Sequence, residues 1–261
     1  MKGGLEVVRV VEHYDENGSC KTIRFDRNLD ARPGQFVMMW IPGVDELPMS
    51  VSHIGERFGV TYKIVGNGTE RLAALAVDDL MAVRGPYGNG FSVEKGRELV
   101  VAGGTGMACL APLVEACTLA GNTVDLVLGA RTKEELMMAS RGESAGAEVH
   151  IVTDDGSEGA KGLATDAMEG LIGEKRFDRV YACGPEKMLT RVLDLALNNR
   201  LPLQASIERY MKCGIGLCDS CAIDGKHVCK DGPVFSGEDL SSFAEFGRTR
   251  LSRSGRRVTV E

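Results

Sequence analysis

Through residues 1–94 the chain falls into short strand-like runs, at residues 7–11, 22–25, 36–40, 58–65 and 80–83. Runs of this length, rich in Val, Ile, Phe, Tyr and Thr, suit extended chain with one side against a core. Glu16-Asn17-Gly18, Arg32-Pro33-Gly34 and Pro42-Gly43 separate them as turns. Short strands at such regular spacing predict a small antiparallel barrel, with one helix over residues 69–77, where Ala-rich apolar positions recur at helical spacing.

From residue 98 the pattern changes to strand, glycine turn, helix. Residues 99–102 form a short apolar run, and Gly103-Gly104-Thr105-Gly106 then opens a helix through residue 120. The unit repeats in residues 124–130 before a helix over 133–139, in residues 148–152, and in residues 179–183 before a helix over 186–199. Alternating strands and helices predict a doubly wound α/β parallel sheet. After residue 203 a strand-like stretch, 204–208, leads into glycine-rich chain too short to bury a core of its own. The expectation is an α+β multidomain chain: an N-terminal antiparallel β-barrel over 1–94, a central α/β domain over 95–202 and a small C-terminal module over 203–261.

Composition narrows the partners. The chain has 261 residues, is 43% hydrophobic and carries a formal charge of −6, enough length for two ordinary domains and an appendage. An acidic balance argues against nucleic acid, whose phosphates need a basic face; the basic stretch 248–257 reads as a solvated tail or docking edge. No run approaches the ~18 apolar residues of a membrane span, and the first residues lack the apolar segment of a signal peptide. A cytoplasmic protein with reduced thiols and no membrane contact is expected.

Four of the eight cysteines carry the strongest chemical signal. Cys213, Cys218, Cys221 and Cys229 lie in Cys-x4-Cys-x2-Cys-x7-Cys spacing, the interval pattern by which a loop wraps a 2Fe-2S cluster. Interspersed glycines let the backbone curl so that N–H groups point at sulfur. Four cysteines also suit structural zinc, although zinc more often uses two paired knuckles. Elsewhere, Gly103, Gly104, Thr105 and Gly106 sit between a strand and a helix, where N–H groups can hold a pyrophosphate; a tight turn with no ligand would look the same. Cys183, Gly184 and Pro185 stand at the C-terminal end of a strand, where open α/β sheets collect ligands. In the barrel, Pro48, Met49, Ser50 and Val51 form one corner and Gly68 with Thr69 a second. Together they suit a diphosphate, though each alone suits an ordinary turn. No residue reads as a general acid or base.

These motifs in this order resemble the ferredoxin-NADP reductase superfamily, a flavin barrel followed by a nicotinamide domain. With a C-terminal 2Fe-2S loop the chain is similar, along essentially its whole length, to the family of dihydroorotate dehydrogenase B electron-transfer subunits. The resemblance implies FAD, a 2Fe-2S cluster and NAD as cofactors or co-substrate, with Thr61, Tyr62 and Lys63 lining the flavin site. It implies an FMN-containing dihydroorotate dehydrogenase catalytic subunit as partner, in a heterotetramer with two copies of each, serving pyrimidine biosynthesis. Leu47 stands where the family's flavin motif usually carries arginine, which shifts binding onto Ser50, Gly68, Thr69 and Lys63. The aromatic C-terminal residue of plant-type reductases is also missing. NADP would need a partner for its extra phosphate; Arg131 could reach one, with Glu134 and Glu135 opposing it. Rival readings are another subunit of the superfamily, of NADH-dependent ferredoxin:NADP oxidoreductase or sulfhydrogenase gamma type, or a zinc-stabilised nucleotide-binding regulator.

Overall fold

The computed structural model describes residues 4–260; residues 1–3 and 261, on which the readings of the chain ends partly rest, lie outside them. Strands β1 (Glu6–Asp15), β2 (Cys20–Phe25), β3 (Phe36–Ile41), β4 (Asp45–His53), β5 (Gly59–Lys63) and β6 (Leu80–Tyr87) close into an antiparallel barrel in the order β1-β2-β5-β4-β3-β6. Alternate residues turn inward, so Ile23, Phe25, Val37, Met39, Val51, Val60 and Val83 fill the barrel. The expected barrel is thus present, with a strand the sequence did not announce. β4 contains Pro48, which has no N–H to give a ladder. It is tolerated because Pro48 pairs with Met38 of β3, while pairing with β5 begins only at Val51. Helix α1 (Asn67–Ala73) is shorter than the expected 69–77 and ends before the left-handed turn at Asp78.

The second unit is the expected parallel sheet, enlarged. It comprises β7 (Arg97–Gly103), β8 (Thr123–Ala130), β9 (Glu148–Thr153), β10 (Ala160–Lys161), β11 (Arg179–Cys183) and β12 (Leu203–Ser206). Helices α2 (Gly106–Leu119) and α3 (Ala139–Ser144) bury one face, and α4 (Ala164–Glu174) with α5 (Glu186–Asn198) bury the other. The helix expected over 133–139 is instead a single 3-10 turn, Lys133–Glu135, followed by α3. Extended Leu136 and left-handed Met138 break the continuity. Helix α4 was not expected; Ala164, Met168 and Leu171 supply its buried stripe.

The cysteine segment grows out of this sheet. β12 pairs in parallel with β11, and after the two-residue strands β13 (Ala222–Ile223) and β14 (Lys226–His227) and helix α6 (Val228–Asp231), strand β15 (Val234–Ser236) returns antiparallel to β12. The sheet order is β10-β9-β8-β7-β11-β12-β15. Among the described residues no helix is long and apolar enough to cross a membrane.

Candidate functional site

The C-terminal ends of β7 and β11 lie side by side, in register from Arg179 with Glu98 to Cys183 with Ala102. That adjacency explains three glycines. A Cβ at Gly106 would fall on the Cys183 carbonyl, one at Gly184 would meet the Gly103 backbone at 3.0 Å, and one at Gly103 would meet Met188 Sδ at 2.7 Å. Gly104 differs: it adopts φ +52° and nothing lies within 4 Å of its would-be Cβ, so it faces open space. Gly103, Gly106 and Gly184 therefore let the turns pack, while Gly104 leaves room for a ligand.

This corner lines a cavity of about 660 Å³ with Gly103, Gly104, Thr105, Gly184, Pro185 and Lys187. Arg131 lies in its wall but is ion-paired with Glu135, with Asp154 also present. A 2′-phosphate would have to displace that pair.

A second cavity, about 270 Å³, is lined by Pro48, Met49, Ser50, Thr61, Tyr62, Lys63 and Thr69, together with Cys109, Cys183, Ser206 and Met211. Lys63, Thr105 and Glu208 line both cavities, which therefore abut. The expected barrel residues and the expected α/β residues are thus brought together, apart from Val51, which points into the barrel core, and Gly106, which lines neither cavity and packs on Cys183. Gly68 stands just outside: a Cβ there would come within 2.8 Å of Leu47 Cδ1. Leu47, in place of the family's arginine, thus packs on the second corner. Thr69 Oγ1 accepts from the N–H groups of Val65 and Gly66 at 2.9 and 3.2 Å and holds the turn.

Sequence reasoning missed Cys109, Ser206, Glu208 and Met211. Cys109 hides in an apolar helix; it hydrogen-bonds Cys183, and bonds to Cys183, Ser206 and Ser50 lower its pKa against the effect of burial. Glu208 has open surface toward the cavities, yet protein surrounds its carboxyl and burial raises its pKa.

The four cysteines converge as predicted. Gly214, Gly216 and Asp219 adopt positive φ, turning the loop so that Gly216 N–H donates to Cys229 Sγ at 3.1 Å and Leu217 N–H to Cys213 Sγ at 3.3 Å. Cys229 N–H likewise donates to Cys221 Sγ at 3.4 Å. Donors aimed at sulfur favour charge there. The thiols fall into two neighbouring pairs, Cys213 with Cys218 and Cys221 with Cys229. Among the described residues no three cysteine sulfurs lie within 4.8 Å of one another, whereas four ligands on one tetrahedral zinc would crowd together. Two pairs suit two iron atoms. Cys221 and Cys229 are buried and Cys218 is exposed. Met211, in the wall of the smaller cavity, precedes Cys213 by two residues, a chain distance of at most ~7 Å.

Comparison with known proteins agrees with this layout. The model of the family described as "Iron-sulfur cluster binding domain of dihydroorotate dehydrogenase B" matches residues 208–241, and that of "Oxidoreductase NAD-binding domain" matches residues 100–194. The chain is 41% identical to a probable dihydroorotate dehydrogenase B (NAD(+)) electron transfer subunit of Thermoplasma volcanium, over 97% of this chain and 98% of the other. It is 45% identical to the protein of the same description from Methanopyrus kandleri, over 95% of each. Among solved structures, one reported for NADH-dependent reduced ferredoxin-NADP oxidoreductase superposes with TM-score 0.81 at 32% identity, covering 91% of this chain and 90% of that one. The Amycolatopsis cytochrome P450 reductase GcoB, at 19% identity and TM-score 0.67, shares the fold.

Proposed function

The chain belongs to the family of dihydroorotate dehydrogenase B electron-transfer subunits, and from that premise we propose that it passes electrons between an FMN-bearing catalytic partner and NAD through a 2Fe-2S cluster and FAD. The observation that carries the reading is the shared wall. One cavity is lined by barrel residues and by Met211, which leads into the cysteine loop, and the same cavity abuts the glycine-lined cavity through Lys63, Thr105 and Glu208.

In this reading residues 1–94 hold FAD, 95–202 hold NAD and 203–261 hold the cluster. A flavin supplies the conversion between single electrons and a hydride, which neither an iron–sulfur cluster nor nicotinamide can make alone. Ser50, Thr61, Tyr62 and Thr69 line its cavity, and Lys63 offers a positive charge toward the diphosphate in place of the arginine absent at Leu47. Gly104 leaves space for the nicotinamide nucleotide, Thr105 and Pro185 bound it, and Cys183, next to Gly184, lines the adjoining smaller cavity. The Arg131–Glu135 pair and Asp154 favour a ribose diol over a phosphate, hence NAD over NADP. Cys213, Cys218, Cys221 and Cys229 hold the cluster, with exposed Cys218 on its outer side.

Dihydroorotate oxidation is assigned to the partner, in a cytoplasmic heterotetramer with two copies of each subunit that serves pyrimidine biosynthesis. The test is isolation from the native source with flavin, iron and zinc analysis of the complex and an assay with dihydroorotate. FMN in a co-purifying chain and NADH formation by the complex alone support the reading; dihydroorotate oxidation by this chain unaided overturns it. The 32% identity to the ferredoxin-NADP oxidoreductase structure supports a second reading as a subunit of that kind of enzyme. Activity with ferredoxin and none with dihydroorotate would favour it.

A further inference from the structure

A row of hydroxyls crosses the outside of the barrel beneath the α/β domain. Thr22 of β2 and Thr61 of β5 are directly paired across the ladder, and their Oγ1 atoms lie 2.6 Å apart. Ser52, the extra residue where the pairing of β4 with β5 slips, accepts from Thr61 at 2.8 Å. All three are nearly or fully buried, at 0, 7 and 0% exposure for Thr22, Thr61 and Ser52. At the outer end Thr22 Oγ1 donates to Glu16 Oε1 at 2.6 Å. Glu16 lines an open cleft of about 560 Å³ between barrel and α/β domain, facing Tyr14, His53, Arg141 and Glu143. At the inner end Thr61 lines the cavity assigned above to flavin. An unbroken row of close oxygen contacts thus joins that cavity to the cleft, and Thr22 turns its one proton from Glu16 to Thr61, or Thr61 its own from Ser52 to Thr22, to complete the central bond. Valine fits the space of a buried threonine and would avoid burying the hydroxyl, so the row is more polar than packing requires.

The proposed reaction has a use for such a path. Electrons from an iron–sulfur cluster arrive without protons, whereas NAD leaves as NADH: NAD⁺ + 2 e⁻ + H⁺ gives NADH. One proton per turnover must therefore enter at the flavin cavity. Resting on the flavin reading, we propose that Glu16, Thr22 and Thr61 form the proton relay that carries it. Glu16 takes a proton from solvent in the cleft; Thr61 gives its hydroxyl proton into the cavity while accepting that of Thr22, Thr22 accepts the proton held by Glu16, and the hydroxyls rotate back before Glu16 is reprotonated. The branch through Ser52 runs to His53, whose Nδ1 lies 3.1 Å from Ser52 Oγ, and on to Arg141, whose guanidinium lies 3.3 Å from His53 Nε2. Burial, with Arg141 and Arg24 nearby, brings the His53 pKa down to about 3. That branch therefore gains no added proton near neutrality, and the Glu16 branch, whose carboxylate lines the open cleft, is the entry.

The test uses the flavin-loaded protein from its native source, in anaerobic stopped flow with a pH indicator. Reduction by NADH brings its own hydrogen; reduction by a viologen radical through the cluster draws a proton from solvent. Thr22→Val and Glu16→Gln are expected to slow indicator-detected proton uptake with viologen roughly a hundred-fold, to leave bleaching by NADH at its original rate, and to recover in Thr22→Ser. Equal slowing with both reductants, unchanged uptake in both variants, or loss of uptake in Glu208→Gln instead would overturn the relay while leaving the functional reading in place. Wild-type protein without a flavin band would overturn both.

Discussion

At Gly68 a single hydrogen separates the second barrel corner from Leu47. Gly68→Ala puts a methyl 2.8 Å from Leu47 Cδ1, a flexible tip, so the stability loss should be modest, about 1 kcal/mol. Flavin retention should fall several-fold more than stability suggests, because Leu47 would be driven toward the neighbouring Pro48–Ser50 wall; the flavin-to-protein ratio after gel filtration measures it, and unchanged retention would remove this corner from the flavin site. Cys218 is exposed at the outer edge of the cysteine loop. Cys218→Ser should abolish cluster absorbance and electron flow to the partner while leaving part of the NADH-to-dye activity. Equal loss of both activities would make the cluster chiefly a structural staple. The cysteines were legible as a group because their spacing marks a ligand loop, while the choice between iron and zinc was left open. Cys109 and Glu208 were not, because an isolated cysteine in an apolar helix and a glutamate after a short strand carry no local pattern; only folding puts them at the cavities.

At the scale of elements, strands and helices were legible where long apolar runs or faces mark them, as in β7, β11 and α5, while α4, with its sparser stripe, was not. They were misread where a residue of opposite preference interrupts them. Pro48 disguised β4, and Met138 with extended Leu136 divided what read as one helix over 133–139. The start of β7 supplies a pH-dependent term. Glu98 is fully buried, and burial, opposed by Arg179 and reinforced by Asp178 and Glu94, raises its pKa to about 7. The native state then keeps a proton that the unfolded chain releases at ordinary carboxylate pH. Its contribution is present in full below about pH 4.5 and is lost as pH rises through about 7, by on the order of 3 kcal/mol. Thermal denaturation of wild type and Glu98→Gln across that range should show the wild-type curve falling relative to the variant with rising pH; parallel curves would contradict it.

Across the whole molecule, a buried ion pair reinforces the sheet pairing that ties the cysteine segment to the α/β domain. Arg209 donates twice to Glu186 at the start of α5, at 2.6 and 2.9 Å, with side-chain exposures of 1 and 10%. Gly247 N–H donates to the same carboxylate at 2.7 Å. Arg209→Ala leaves Glu186 buried without its counter-charge and should cost roughly 3–5 kcal/mol, read as a lowered unfolding midpoint; a shift near zero would show that water replaces the arginine. The order of barrel, α/β unit and cysteine loop, the glycine turns and the four-cysteine spacing could be read from the sequence, because alternation, turn composition and cysteine spacing act over a few neighbouring residues. Tertiary structure alone decided that β12 and β15 extend the central sheet, that the two cavities share Lys63, Thr105 and Glu208, and that Thr22, Thr61 and Ser52 meet in one row. Each of these depends on which strands become neighbours, and that choice is settled by long-range packing, which no local pattern encodes.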